Sequence, residues 1–154
     1  MKFWLMKSEP DVFSWDDLEG SLNQIGFWDG VRNYQARNFM RDEFKCGDLV
    51  FFYHSSCNSP GIAGVAEVVK EAYPDKSALD PKSEFYDEKS AKAGASRWVA
   101  VDVKAKQKFA TPATLSEIRN TPALKAMLLL QPGQRLSVQP VDIKHAHYIL
   151  KRWG

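Results

Sequence analysis

The sequence predicts an α+β fold, a small mixed β-barrel of about five strands with helices inserted between them. Three observations lead there. Apolar runs of strand length recur along the chain, amphipathic stretches with capping residues separate them, and no internal repeat or linker divides the 154 residues. A chain of this length buries roughly two-thirds of its unfolded surface, and 44% hydrophobic residues supply a core for it. One domain spanning residues 1–154 is therefore expected.

Each element has its own signal. Phe3 to Lys7 is aromatic-rich and apolar and stops at Ser8-Glu9-Pro10, a strand ended by a turn. Ser14-Trp15-Asp16-Asp17-Leu18 reads as a short helix that Ser14 caps, with acids at its positive end. A second helix begins near Asn33, with Ala36, Phe39 and Met40 on one face and Asn33, Arg37 and Arg41 on another. Gly47-Asp48 turns into the buried-type strand Leu49 to His54, and Ile62 to Val69 is its expected partner. Tyr73 to Ser96 is polar enough to read as a long surface loop, and Trp98 to Val103 as another strand. Thr114 to Ile118 and Pro122 to Leu129 read as helices. Leu136 to Val141 alternates as a strand does, and Asp142 caps a last helix ending near Arg152.

Bulk properties narrow the function classes. A net charge of +2 carries no polybasic tail or histone-like coat, so tight non-specific duplex binding through many phosphates is not expected. Cys46 and Cys57 make no disulfide framework. The apolar run at Phe3 to Met6 is too short for a signal peptide or a membrane span, and so is Met127 to Leu130. A cytoplasmic protein without membrane contact is the expectation.

The most informative segment is Phe27-Trp28-Asp29-Gly30-Val31-Arg32-Asn33-Tyr34-Gln35-Ala36-Arg37-Asn38-Phe39. It sets a large aromatic beside an acid and a glycine, then places arginines, asparagines and a tyrosine at helical spacing. Core packing has no use for such a mixture. A pocket that stacks a flat ring and reads its edge, next to a surface that holds phosphate, uses all of it. Four polar clusters lie at strand ends or helix starts: Lys7-Ser8-Glu9-Pro10, Trp28 to Asn38, Tyr53-His54-Ser55, and Ser137-Gln139-Pro140. Ser8, Asn33, His54 and Gln139 supply donors and acceptors, while Trp28 and Tyr34 supply flat faces. Lys7, Arg32, Arg37 and Arg41 are the candidate phosphate contacts. By composition alone Trp28 is equally an ordinary core tryptophan, and Arg37 and Arg41 equally a solvated helix face beside Asp42 and Glu43. His54-x-x-Cys57 and His145-x-His147 match no usual zinc spacing, and glycine-rich phosphate motifs are absent, so no metal or cofactor is expected.

Five stretches then share one resemblance: Trp4 to Pro10, Trp28 to Asn38, Phe52 to Ser55, Pro60 to Gly64, and Arg135 to Pro140. Together, in order and across about residues 2 to 152, they resemble the EVE domain. The resemblance implies a PUA-like pseudobarrel of five to six strands with peripheral helices, related to readers of methylated adenine in RNA. It implies a reader of a modified base in DNA or RNA, held in an aromatic-lined pocket. Carried over by motif, that pocket draws on Lys7, Ser8, Glu9, Pro10, Trp28, Arg32, Asn33, Tyr34, Arg37, Asn38, Tyr53, His54, Ser55 and Gln139. The partner is a modified nucleobase, single-stranded or flipped out of a duplex; the chain lacks the basic N-terminal extension of nuclear relatives. Oligomeric state, base identity and the choice of DNA or RNA stay open. Two rivals remain at this point: an enzyme on a nucleotide or small aromatic metabolite with Glu9 or His54 as general base, and a peptide-binding module.

Overall fold

Strand β1 (Phe3–Ser8) alternates its side chains, so Trp4 and Met6 enter one core while Phe3 and Leu5 enter another. The same division continues through β3 (Leu49–His54), where Val50 and Phe52 oppose Phe51 and Tyr53. Both faces of the sheet are thus covered, which is why β3 reads as an unbroken apolar run rather than an alternation. These packing relations belong to a computed structural model that describes residues 1–154.

The sheet is mixed. β1 runs parallel to β3 and antiparallel to β6 (Val138–Val141); β3 pairs antiparallel with β4 (Gly61–Pro74), and β4 with β5 (Val99–Thr114). β5 in turn pairs antiparallel with β2 (Ile25–Trp28), giving the order β2-β5-β4-β3-β1-β6. The end strands β2 and β6 do not pair with each other, so the pseudobarrel keeps an open seam.

Helices cover the two faces. α1 (Trp15–Gly20) and α2 (Tyr34–Asp42) bring Trp15, Leu18, Ala36 and Met40 to the Trp4–Phe52 core. α4 (Leu115–Arg119) and α5 (Ile143–Trp153) bring Ile118, Ala146, Ile149 and Trp153 to the Phe3–Phe51 core. Their starts follow the expected capping chemistry. Ser14 and Asp17 form a reciprocal capping box, Asn33 accepts from the Ala36 N–H, Thr114 from Glu117, and Asp142 from Lys144. No helix is long and apolar enough to cross a membrane.

Four expectations need correction. Ile25–Trp28 is a strand, although four residues including Gly26 gave no usable period. β5 continues eleven residues past Val103, because Lys104, Lys106 and Lys108 face solvent from a strand still paired to β4. Residues 73–96 are not one loop. β4 runs on to Pro74, a short 3-10 turn follows at Lys76–Leu79, and α3 (Glu88–Ala93) packs back with Ala78 and Ser90 buried. Here polar side chains satisfy one another: Asp87 accepts from Arg97 Nε (2.8 Å), Ser90 Oγ (2.7 Å) and Trp98 Nε1 (2.9 Å). Finally, Pro122 to Leu129 forms two separate 3-10 turns rather than a helix.

Candidate functional site

The open seam contains a cleft of about 750 Å³, within the range of small-ligand sites. One wall is the end of β1, with Lys7, Ser8 and Glu9, continued by Val12 and Phe13. The opposite wall is β2 and the turn after it, Ile25 to Val31, and Glu84-Phe85 closes a third side. β2 is an edge strand paired only to β5, so one row of its backbone groups has no strand partner.

Aromatic rings shape the cleft. Trp28 is only 7% exposed and packs edge-on to Phe52 (5.1 Å between centroids) and Phe13 (6.4 Å), so it is a wall built into the core. Phe27, on the other side of β2, is 66% exposed at the mouth, beside Leu22 at 86%. The Phe85 ring crowds Gly30, whose φ of +78° favours glycine and where an added Cβ would fall 2.7 Å from that ring.

The charge of the cleft is acidic. Glu9, Asp29 and Glu84 line it against a single cation, Lys7, whose ammonium burial pushes below the ordinary lysine range. Asp29 moves the other way. Burial raises its carboxyl first, and the neighbouring Asp75 carboxylate adds to the rise. Asp75 itself is buried and saturated: it accepts from the Gly30 N–H (2.9 Å), Arg32 Nη1 (3.0 Å), and Ser77 through N–H (2.9 Å) and Oγ (2.5 Å). Burial alone would raise Asp75, but the bonds from Ser77, Gly30 and Arg32 outweigh it and hold it below the usual carboxylate range. Arg32 also donates to the Phe85 carbonyl from Nη2 (2.7 Å) and Nε (3.2 Å). Asp75 and Arg32 therefore tie the β2 turn to the Phe85 wall.

Of the residues carried over by motif, Lys7, Ser8, Glu9 and Trp28 meet in this cleft. Ser8 already spends its hydroxyl on the Phe13 carbonyl at 2.6 Å. The others stand elsewhere, for physical reasons. Pro10 falls in the turn beyond Glu9, outside the lining. Arg32 is the strut just described and is not free for phosphate. Asn33 uses its side-chain oxygen as the α2 cap. Tyr34 stacks on Trp98 (4.8 Å, 23°), away from the cleft. Arg37 donates to the Arg97 carbonyl (3.1 Å) and to the Asn38 side chain (2.8 and 3.1 Å), which orders Asn38 as well. Arg41 pairs with Asp42. Tyr53 projects into the opposite core, where burial pushes its phenol up to about 12. His54 accepts the Trp15 N–H at 3.1 Å and burial lowers its pKa; Cys57 reaches only its backbone carbonyl. Ser55 donates its backbone N–H to the Ser8 carbonyl. Gln139 is buried and donates to Gln134 and the Leu136 carbonyl. Glu9 thus lines the cleft and His54 does not.

Sequence reasoning missed Phe13, Leu22, Ile25, Glu84 and Phe85. They come from turns and an edge strand with no periodicity. Phe85, a lone aromatic in a polar stretch, carried the one usable signal.

Comparisons with known proteins agree with the fold. The model of the EVE domain family matches residues 2–152. Thymocyte nuclear protein 1 of Gallus gallus is 42% identical over 164 residues, covering 96% of this chain and 66% of the relative. The chain thus spans about two-thirds of the length of that relative. Among solved structures, a protein from Pseudomonas syringae is 47% identical with a TM-score of 0.88, covering 97% of each chain. Human THYN1 protein in complex with 5-methylcytosine containing DNA is 39% identical with a TM-score of 0.87, covering 98% of this chain and 96% of that one.

Proposed function

The chain belongs to the EVE domain family, and from that premise we propose that it is a non-enzymatic reader that holds one modified nucleobase in the seam cleft. The observation that carries this reading is a cleft at once aromatic-walled and acidic. Phosphate is repelled by three carboxylates facing one lysine. A neutral aromatic ring with amino donors is welcomed, because carboxylates accept from exocyclic amines, as they do from cytosine. The human relative bound to 5-methylcytosine containing DNA supports a base of that kind.

The base reaches the cleft only outside its stack. Extrusion costs a few kcal/mol, which favours single strands or weakened pairs. Stacking on an aromatic returns about 1–3 kcal/mol. A methyl-sized group filling an apolar corner adds about 1–3 kcal/mol more, so discrimination of roughly 10- to 200-fold is the physical expectation. Exposed Phe27 and Leu22 mark where the rest of the strand would leave the cleft.

The test is binding to single-stranded DNA and RNA oligomers that each carry one modified or unmodified base, followed by fluorescence anisotropy. Preference for one modified base, lost in Phe85→Ala, supports the reader. Equal, weak and salt-sensitive binding to every oligomer overturns it.

A further inference from the structure

Asp29 is half-buried in the cleft lining, where Glu9 and Glu84 are exposed. It forms no ion pair and accepts no side-chain hydrogen bond; its own backbone N–H and the charge of nearby Arg32 favour the ionised form, but burial and the Asp75 carboxylate outweigh them. Asp75 beside it takes four donors. The groups that face Asp29 compensate its charge only in part. Arg32 is engaged with Asp75, Glu84 adds a further negative charge, and Tyr73 across β4 donates its hydroxyl to Asp102 at 2.5 Å. Lys7 and Glu9 line the β1 wall of the same cleft. A cleft carboxyl so placed favours a proton, and a ligand that shares that proton removes the cost of burying a lone charge.

We propose that Asp29 determines specificity by sharing one proton with the base, which must present a ring nitrogen acceptor next to an exocyclic amino group. Cytosine-type and adenine-type edges have that pattern. The proposal rests on the base-reader assignment of the cleft and names the edge it selects. In one form the carboxyl O–H donates to the ring nitrogen while its carbonyl oxygen accepts from the amine. In the other the proton sits on the ring nitrogen, and both N–H groups donate to the carboxylate. One proton is taken up from solvent, and only that O–H or N–H bond changes. A thymine- or uracil-type ring carries its own N–H at that position and cannot hold the shared proton.

The experiment measures affinity of the wild-type protein and two variants for the preferred modified oligomer between about pH 6 and pH 9, with its unmodified and thymine counterparts alongside. Because binding takes up a proton, affinity falls as pH rises above the Asp29 titration, by up to about tenfold per pH unit. Asp29→Asn presents the same donor and acceptor without a proton, so it keeps binding and loses this slope. Asp29→Ala binds weakly at every pH. Thermal unfolding of each variant confirms folding. A wild-type profile that is flat, or one that Asp29→Asn leaves unchanged, overturns the Asp29 role while the cleft reading stands. If the wild type prefers no modified oligomer at any pH, the cleft reading falls, and the proposal with it.

Discussion

A tryptophan packed edge-on between Phe13 and Phe52 cannot swing out to cover a ligand without opening the core it helps to build. Trp28→Ala is therefore expected to lose about 3–5 kcal/mol of stability, read as a lower urea midpoint, and any lost binding would then be ambiguous. Phe85 offers a cleaner probe, since it enters neither core cluster. Phe85→Ala should leave the urea midpoint nearly unchanged and abolish discrimination between modified and unmodified bases. Gly30 tests the same wall from behind. Gly30→Ala places a methyl against the Phe85 ring and forces an L-residue into positive φ, so it should cost about 1 kcal/mol or more and weaken base binding. Retained wild-type affinity in Gly30→Ala would mean that Phe85 does not shape the bound state.

At the element scale, α2 separates capping from reading. Asn33 resembled an edge-reading amide because it follows Trp28 closely, but its oxygen is committed to the Ala36 N–H at 3.0 Å. Asn33→Ala should cost about 1 kcal/mol in chemical denaturation and leave the ratio of modified to unmodified affinity intact; a collapsed ratio would restore it to the pocket. The Asp75–Arg32 tie makes a pH prediction. Asp75 is held below its ordinary range when folded, so its contribution is fully present above about pH 4 and is lost as pH falls through its lowered pKa. The stability gap between wild type and Asp75→Asn should accordingly narrow below about pH 4, and a gap constant down to pH 2 would contradict the tie. Elements with local signals were legible in the sequence: the caps Ser14, Asn33, Thr114 and Asp142, and the apolar runs of β1 and β3. What stayed hidden depends on non-local pairing. β2 exists because β5 offers it an edge, the lysine-rich half of β5 is a strand because β4 lies beside it, and Asp75 is buried because Arg32 reaches it. The site split the same way, since the β1 end and Trp28 lay in contiguous motifs while Phe13 and Phe85 arrive by folding.

At the scale of the whole molecule, the arginines grouped on α2 and around Trp98 are mostly neutralised. Arg32 pairs with Asp75, Arg41 with Asp42 and Arg97 with Asp87, and the net charge is +2. Arg37 has no carboxylate partner. Its guanidinium lies 4.9 Å from the Tyr34 ring and 5.8 Å from Trp98, while those rings sit 4.8 Å apart. The Arg97 guanidinium also lies 5.7 Å from the Tyr34 ring, which is still 49% exposed. A strand whose base enters the cleft would thus find, outside it, the unpaired Arg37 guanidinium beside the exposed Tyr34 ring. Each phosphate neutralised on a single strand contributes about −0.7 to the slope of log affinity against log salt. One or two contacts predict a slope between about −0.7 and −1.4 for the wild type. Arg37→Ala should make it shallower by about 0.7 without altering the preference for the modified base, because charge and recognition reside on different surfaces. A wild-type slope near −4 would instead require many phosphate contacts, and affinity would then come from the backbone rather than from the cleft.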